Sequence, residues 1–226
     1  MTNETIQSLL DALNAGNTSG IILRPIGKGV WWGFVWLPQP AGQTRCLQEG
    51  GHEMFFVQAA KGEFVATVFW HGLEELHWYV AEKARRKGIL VKPLRTVILP
   101  FIFHRHKCEK QSCSVECWVE HKEASMKLAK RVGFQELSSD DEKTRFEIRA
   151  DEVSSYQKMP RLELAPSDLE QLKQEAELSI RSLRIVFDKL RVRFADHPDK
   201  KKLENLRSDF DCCVVSEMRD FIEDEK

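Results

Sequence analysis

LHWYVAEKARRKGILVKPLRTVILPFIF, residues 76–103, and CSVECWVEHKEASMKLAKRVGF, residues 113–134, together decide the fold. Leu76 to Val80 has the apolar, aromatic and β-branched character of a strand. Arg85-Arg86-Lys87-Gly88 follows, a basic turn with one glycine. An amphipathic run from Ile89 to Phe103 comes next, and the pattern sets a helix over 85–99. Pro93 lies inside it, where a proline either kinks the helix or marks a start near Lys92. A second strand over 113–119 then leads to a helix over 122–132 that Gly133 ends. A strand, a turn rich in amides and positive charge, then a helix make a phosphate cradle, because helix N-termini offer unpaired N–H groups and partial positive charge. Arg85, Arg86 and Lys87 would oppose that charge if they were only a solvated patch; an anion seated on them removes the conflict.

Working outward, Asn3 to Asn14 reads as a helix capped by Thr2 or Asn3 and stopped by Gly16. Ile21 to Pro25 is a short strand, broken at Gly27-Lys28-Gly29. VWWGFVWLP, residues 30–38, reads as a strand buried on both faces or packing a Trp-rich surface, with an exposed aromatic platform as the alternative. Residues 39–52 are loop-like. Met54–Ala59 and Glu63–Trp70 flank Lys61-Gly62 as a hairpin, and a turn at His71-Gly72 brings in Leu73–Val80 as a third antiparallel strand. Two last strands, Phe134–Leu137 and Thr144–Arg149, enclose the turn SSDDEK.

Composition shifts after Val153. Residues 154–166 read as a linker, and residues 167–226 as an αα-hairpin, an interaction or oligomerisation arm. Ser167-Asp168-Leu169-Glu170 fits a capping box behind Pro166. Leu169, Leu172, Ala176, Ile180, Leu183, Phe187, Leu190 and Phe194 form one apolar stripe. After a break at Asp196–Asp199, a second stripe runs through Leu203, Leu206, Phe210, Val214, Glu217 or Met218, and Phe221. Its basic stretches fit a solvated face with i,i+4 pairs better than nucleic-acid contact.

The chain has 226 residues and a formal net charge of −1, so global charge gives no argument for a nucleic-acid partner. No run approaches the ~18–20 apolar residues that span a bilayer, and MTNETIQSLL lacks the pattern of a signal peptide. The expectation is a cytoplasmic protein whose six cysteines are free thiols. His104, His106, Cys108, Cys113 and Cys117 are of types that zinc uses, but their spacing matches no zinc knuckle. Cys113 and Cys117 share strand parity, which fits core packing, so no metal is expected.

The order strand, strand, strand, basic turn, helix, strand, helix, Gly-Phe, strand, strand resembles the GNAT superfamily of N-acetyltransferases over roughly residues 54–150. Two motifs carry the resemblance. In the first, a strand ends in Val80 and Arg85-Arg86-Lys87-Gly88-Ile89-Leu90 stands at the family's Arg/Gln-x-x-Gly-x-Gly/Ala. In the second, Lys122-Glu-Ala-Ser125-Met-Lys-Leu128-Ala129-Lys-Arg-Val-Gly133-Phe134 keeps the family's spacing up to its Gly-Phe.

The resemblance implies an α+β fold: a mixed, mostly antiparallel sheet flanked by helices in a domain over residues 1–153, plus the C-terminal hairpin. It implies acetyl transfer from acetyl-CoA to an unidentified amine. The cofactor would be held by Val80, Arg85, Arg86, Lys87, Gly88, Ile89, Lys122 and Ser125, with the pantetheine arm between splayed strands. Glu74, similar in position to the base of some members, is the candidate base on the strand before the basic turn. Leu90 replaces the small residue that ends the phosphate loop, which implies a less close approach to pyrophosphate. Lys122 replaces an Asn. Ala129 replaces the Tyr that protonates the leaving thiolate, so water, Tyr79 or Cys117 would substitute. The alternative is a catalytically degenerate GNAT-like module that acts through its C-terminal helices.

Overall fold

The computed structural model describes residues 2–36, 51–157, 166–193 and 200–216. The expected loop before residue 51, most of the linker, Phe194, the break at Asp196–Asp199, and Glu217, Met218 and Phe221 lie outside the described residues. The chain forms two compact units, Met1–Met159 and Pro160–Lys226.

The first unit is α+β. Helix α1 (Asn3–Asn14) is capped by the Thr2 hydroxyl, which accepts from the Thr5 amide. Strands β1 (Ile21–Gly27), β2 (Val30–Val35), β3 (His52–Gln58), β4 (Phe64–Trp70) and β5 (Leu76–Val80) form one antiparallel sheet in chain order. Gly33 lets β1 and β2 close up: a Cβ there would stand 1.7 Å from the Ile22 carbonyl oxygen. A second sheet, order β6-β8-β7, is built from β6 (Lys110–Glu116), β7 (Gln135–Ser139) and β8 (Lys143–Arg149).

Alternation along the strands separates two apolar faces. Leu10 and Leu13 of α1 pack with Val35, Met54, Phe56 and Phe69 on one. On the other, Phe55, Val57, Ala66, Val68 and Leu76 meet the helices that follow β5 and β6.

The helix after the basic turn begins later than its periodicity implies. Its first turn is α2 (Val91–Pro93), continued by a wider π-type segment (Leu94–Ile98) and by α3 (Leu99–His106), one helix over 91–106. Pro93 therefore sits in the first turn, where its missing N–H has no intrahelical partner to lose. Pro100 lies deeper, and a proline there would clash with the carbonyl four residues back. The preceding segment widens, with the Leu99 amide bonding to Leu94 O, which accommodates it. Val97 of this segment fills the space beside Gly27, where a Cβ would come within 2.7 Å of it. Helix α4 (Lys122–Val132) ends on left-handed Gly133, φ 114°.

In the second unit, α5 (Pro166–Arg193) lies against α6 (Lys200–Asp209) and the π-type turn that extends it, Phe210–Val215. Arg184 donates to Asp211 at 2.8 and 3.0 Å, Phe187 meets Phe210 at 5.6 Å, and Arg207 donates to Asp188 at 2.6 Å. Numbers rise on one helix as they fall on the other, so the two run antiparallel. Helix α5 already includes Pro166, so Ser167 does not cap it; its hydroxyl reaches Asp168 at 3.3 Å. Nor is its apolar stripe buried as one face. Ile180, Arg184, Phe187 and Asp188 are half-buried, whereas Leu172 and Leu183 remain exposed.

Candidate functional site

The site is the gap between β5 and β6. The two strands start together: the Ser112 amide donates to Leu73 O at 3.0 Å, and the Ser114 amide to Glu75 Oε1 at 3.0 Å. The pairings 73 with 112 and 75 with 114 rise together, so the strands run parallel. Beyond them, no backbone bond joins β5 to β6 among the described residues. β6 turns its other edge to β8. Trp78 of β5 and Phe134, which follows α4, stand 6.5 Å apart and pack into the same core.

The gap is lined by main-chain donors. The Ala81 amide bonds to Val65 O at 2.9 Å, which turns odd-numbered amides of β5 toward β4. Trp78 and Val80 therefore aim their N–H and C=O groups into the gap. The Val80 carbonyl accepts from Arg85 Nε at 3.1 Å.

The open end carries the basic turn. A short 3-10 turn, Glu82–Ala84, leads into it, and Arg86 and Gly88 both adopt left-handed backbone, φ 62° and 66°. Across Gly88 the next bonds are Val91 N to Gly88 O at 3.3 Å and Leu94 N to Leu90 O at 2.9 Å. Among the described residues, the amides of Arg86, Lys87, Gly88, Ile89 and Leu90 have no acceptor. Successive free amides around left-handed residues make an anion-binding concavity. A Cβ at Gly88 would meet only Arg131 Nη1, at 3.8 Å, so the loop is open there.

The charged side chains are arranged unequally. Arg86 is exposed, whereas Lys87 folds back to donate to Lys83 O at 2.8 Å. Arg85 lies 2.6 Å from His121 Nε2, tying the basic turn to the residue that precedes α4. Guanidinium only donates, so that imidazole nitrogen accepts. His121 Nε2 also lies 3.9 Å from Glu120, but the shorter contact to Arg85 fixes its role as acceptor. Lys122 donates from Nζ to Cys117 Sγ at 3.2 Å, and half-buried Ser125 donates its amide to His121 O at 3.0 Å.

Two expectations are corrected here, for Glu74 and Leu90. Glu74 is not on a strand: β5 begins at Leu76, and Glu74 is exposed in the turn before it, away from every described partner. Its neighbour Glu75 is the engaged carboxylate, accepting from the Ser114 amide, with His77 Nε2 at 3.9 Å. Leu90 does not crowd the loop. It is 1% exposed and points into the core with Leu94 and Ile98. Ala129 is fully buried, and its carbonyl accepts from Gly133 N at 3.2 Å and Phe134 N at 3.0 Å, so this position closes the helix and packs the core. Of the substitutes, Tyr79 donates its hydroxyl to Gln7 of α1 at 2.8 Å. Cys117 reaches Asp140 O at 3.6 Å as well as Lys122.

The cysteine and histidine candidates for a metal are dispersed. His104 stacks on Tyr156, His106 stacks on Trp70 at 3.8 Å and faces Glu53 at 3.3 Å, and Cys113 is core. Among the described residues, no three His, Cys, Asp or Glu side chains converge on one point.

Sequence reasoning missed a histidine group on the α1 face. His52 lies 5.3 Å from Phe69, Phe69 lies 3.9 Å from His71, and His71 lies 5.6 Å from His77. Partial burial, then the proximity of His77 and His52, hold the His71 imidazole below its usual pKa. The three residues are 19 and 6 positions apart in sequence and meet only through β3–β4–β5 pairing, so no local motif announces them.

No family model and no curated protein sequence matches the chain. Solved structures do. A spermidine N-acetyltransferase chimera of Vibrio cholerae SpeG and hSSAT is 16% identical, over 48% of this chain and 72% of its own, at a TM-score of 0.39. A GNAT-family acetyltransferase from Bacillus anthracis is 13% identical over 43% and 66%, at 0.37. The Campylobacter jejuni N-acetyltransferase PseH, in complex with acetyl coenzyme A, is 13% identical over 46% and 72%, also at 0.37. These overlaps are too loose to carry substrate or residue roles. The architecture rests on the chain's own strand order and its parallel β5/β6 gap, an α+β fold with the basic turn at the open end of that gap.

Proposed function

We propose that the chain is an N-acyltransferase that binds acetyl-CoA in the β5/β6 gap and passes the acetyl group to an amine. The observation that carries this reading is the run of five unpartnered amides, Arg86 to Leu90, at the open end of a parallel strand pair. A pyrophosphate is the anion such a run suits, with Arg85, Arg86 and Arg131 supplying charge. The pantetheine arm would lie along β5, taking hydrogen bonds from Trp78 and Val80. Lys122 and Ser125 would line the opposite wall. Helix α5 with α6 would serve as an interaction arm, and the setting would be cytoplasmic.

The chemistry follows from the same atoms. A neutral amine attacks the thioester carbonyl, and a β5 amide N–H aimed into the gap donates to the developing oxyanion. With Glu74 in solvent, His77 and His71 are the groups beside β5 that can take the amine proton, directly or through water. His71 suits this because its lowered pKa keeps it neutral at pH 7. The C–S bond breaks and the CoA thiolate leaves, protonated by water or by Cys117.

A thermal shift with acetyl-CoA tests binding, and release of CoA thiol with a panel of amines tests transfer. Replacing Lys87→Ala together with Gly88→Pro should abolish the shift; an undiminished shift would put the site elsewhere. Buried Ala129, with no hydroxyl to offer, favours a second reading: a module that binds CoA without turnover. A robust acetyl-CoA shift with no thiol release for any amine would select it.

A further inference from the structure

Helix α5 carries a second seam that its partner α6 does not use. Leu169, Leu172, Ala176, Ser179, Leu183, Val186 and Leu190 recur at alternating spacings of three and four, the pattern by which one helix packs along another. The face turned to α6 lies to one side of this seam, through Ile180, Arg184, Phe187 and Asp188. At the seam itself Leu172 is 50% exposed, Leu183 47% and Val186 49%. Isolated exposed apolar residues are ordinary; Leu172, Leu183 and Val186 share one heptad seam with half-buried Leu169, Ala176 and Leu190.

We propose that this seam packs against the same seam of a second copy of the chain, with the two α5 helices antiparallel. Two observations choose that occupant and that direction. First, the seam reads nearly the same backwards about Ser179. Leu172 and Val186 stand seven residues to either side, Ala176 and Leu183 three and four, and Leu169 and Leu190 ten and eleven. An antiparallel copy therefore sets large against small at Leu183 and Ala176 and closes both ends with Leu169 against Leu190.

Second, the charge divides at the same centre. Residues 166–179 hold four carboxylates and one lysine; residues 180–193 hold four arginines and a lysine against one aspartate. The helix dipole favours such a split only within the first and last turns. Glu175, Glu177 and Arg181 lie mid-helix, where the dipole gives no reason for it, whereas Arg184 is engaged by Asp211. Antiparallel pairing lays acidic half on basic half, whereas parallel pairing lays like on like. Asp168 and Lys189 each precede a seam residue by one position, so they flank the seam on one side. Asp168 of each copy then faces Lys189 of the other, an arrangement that sets partner and direction in coiled coils.

This inference is independent of acyl transfer. Sedimentation of the full chain from about 1 to 100 µM should show a dimer, and the Leu172→Glu, Leu183→Glu double variant a monomer with unchanged helicity by circular dichroism. Both positions are exposed, so the helix pair does not depend on them. For direction, Asp168→Cys and Lys189→Cys chains are mixed and oxidised, and the links mapped by mass spectrometry. Links between 168 and 189 support the antiparallel seam. A wild-type monomer throughout, a dimer indifferent to the two glutamates, or links joining 168 to 168 and 189 to 189 would each overturn it.

Discussion

Leu90→Ala separates two roles for the residue that ends the basic turn. If Leu90 intrudes on the anion loop, trimming it should tighten CoA binding at small structural cost. Its burial gives the opposite expectation. At 1% exposure the side chain is enclosed by the core around Leu94 and Ile98. Removing three carbons forfeits about 2.4 kcal/mol at ~0.8 kcal/mol per buried methylene, and the cavity left behind brings the loss to about 3–5 kcal/mol. At ~2–4 °C per kcal/mol for a unit of this size, the melting point should fall by roughly 6–20 °C. Urea unfolding followed by tryptophan fluorescence is the assay. All six tryptophans lie within Met1–Met159, so the signal reports that unit alone. CoA affinity, measured where the variant is still folded, should stay within about threefold, which is under ~0.7 kcal/mol. A loss below ~1 kcal/mol with tenfold tighter binding would refute the burial argument and restore Leu90 to the loop.

Other consequences are open to simpler measurements. Gly33→Ala sets a Cβ 1.7 Å from the Ile22 carbonyl oxygen, a backbone atom that cannot step aside, so β1 must separate from β2; the urea midpoint should drop sharply, and an unchanged midpoint would contradict this packing. Glu53 is 9% exposed and accepts from Trp32 Nε1 at 2.6 Å, with His106 and Arg105 at 3.3 and 3.4 Å. Glu53→Ala should cost about 1–3 kcal/mol by leaving the half-buried Trp32 indole without its acceptor, and Glu53→Gln should recover part of it. His71 has its pKa lowered in the fold, so the folded state binds a proton less readily than the unfolded chain. Its contribution is present above the unfolded value of about 6.5 and is lost as pH falls through the lowered folded value. His71→Gln should flatten the stability profile between pH 7.5 and 5; an unaltered slope would remove His71 from it. Burial, with Glu75 behind it, pushes the Cys113 thiol far up, and burial raises Cys108. Alkylation at pH 8 should therefore reach exposed Cys212 and Cys213 before Cys108 and leave Cys113 unmodified until the chain unfolds.

The parts of the fold that could be read from residues are those written in local patterns. Continuous apolar and aromatic runs marked β3, β4 and β5, and Lys61-Gly62 marked the hairpin between β3 and β4. Gly133 fixed the end of α4. What failed needed tertiary information. The pattern from Ile89 to Phe103 is helical throughout, but Pro93 is acceptable only in a first turn and Pro100 only behind a widened one. These two residues moved the helix to 91–106. Glu74 looked like a strand carboxylate because Leu73 to Val80 is continuously strand-like in composition. The pairing of Ser112 with Leu73, and the engagement of Ser114 by Glu75, end the turn later and leave Glu74 in solvent. The site divides the same way. The basic turn proposed to take phosphate is a single stretch, Arg85 to Leu90, whose left-handed Arg86 and Gly88 sit in a tight turn entering a helix, so the candidate could be named in advance. The histidine group from which the proposed base is drawn is assembled from β3, the β4–β5 turn and β5. No spacing rule ties His52 to His71 or His77; only the sheet register does. A candidate anion loop was therefore legible in one stretch, whereas the histidine group exists only once the sheet has formed.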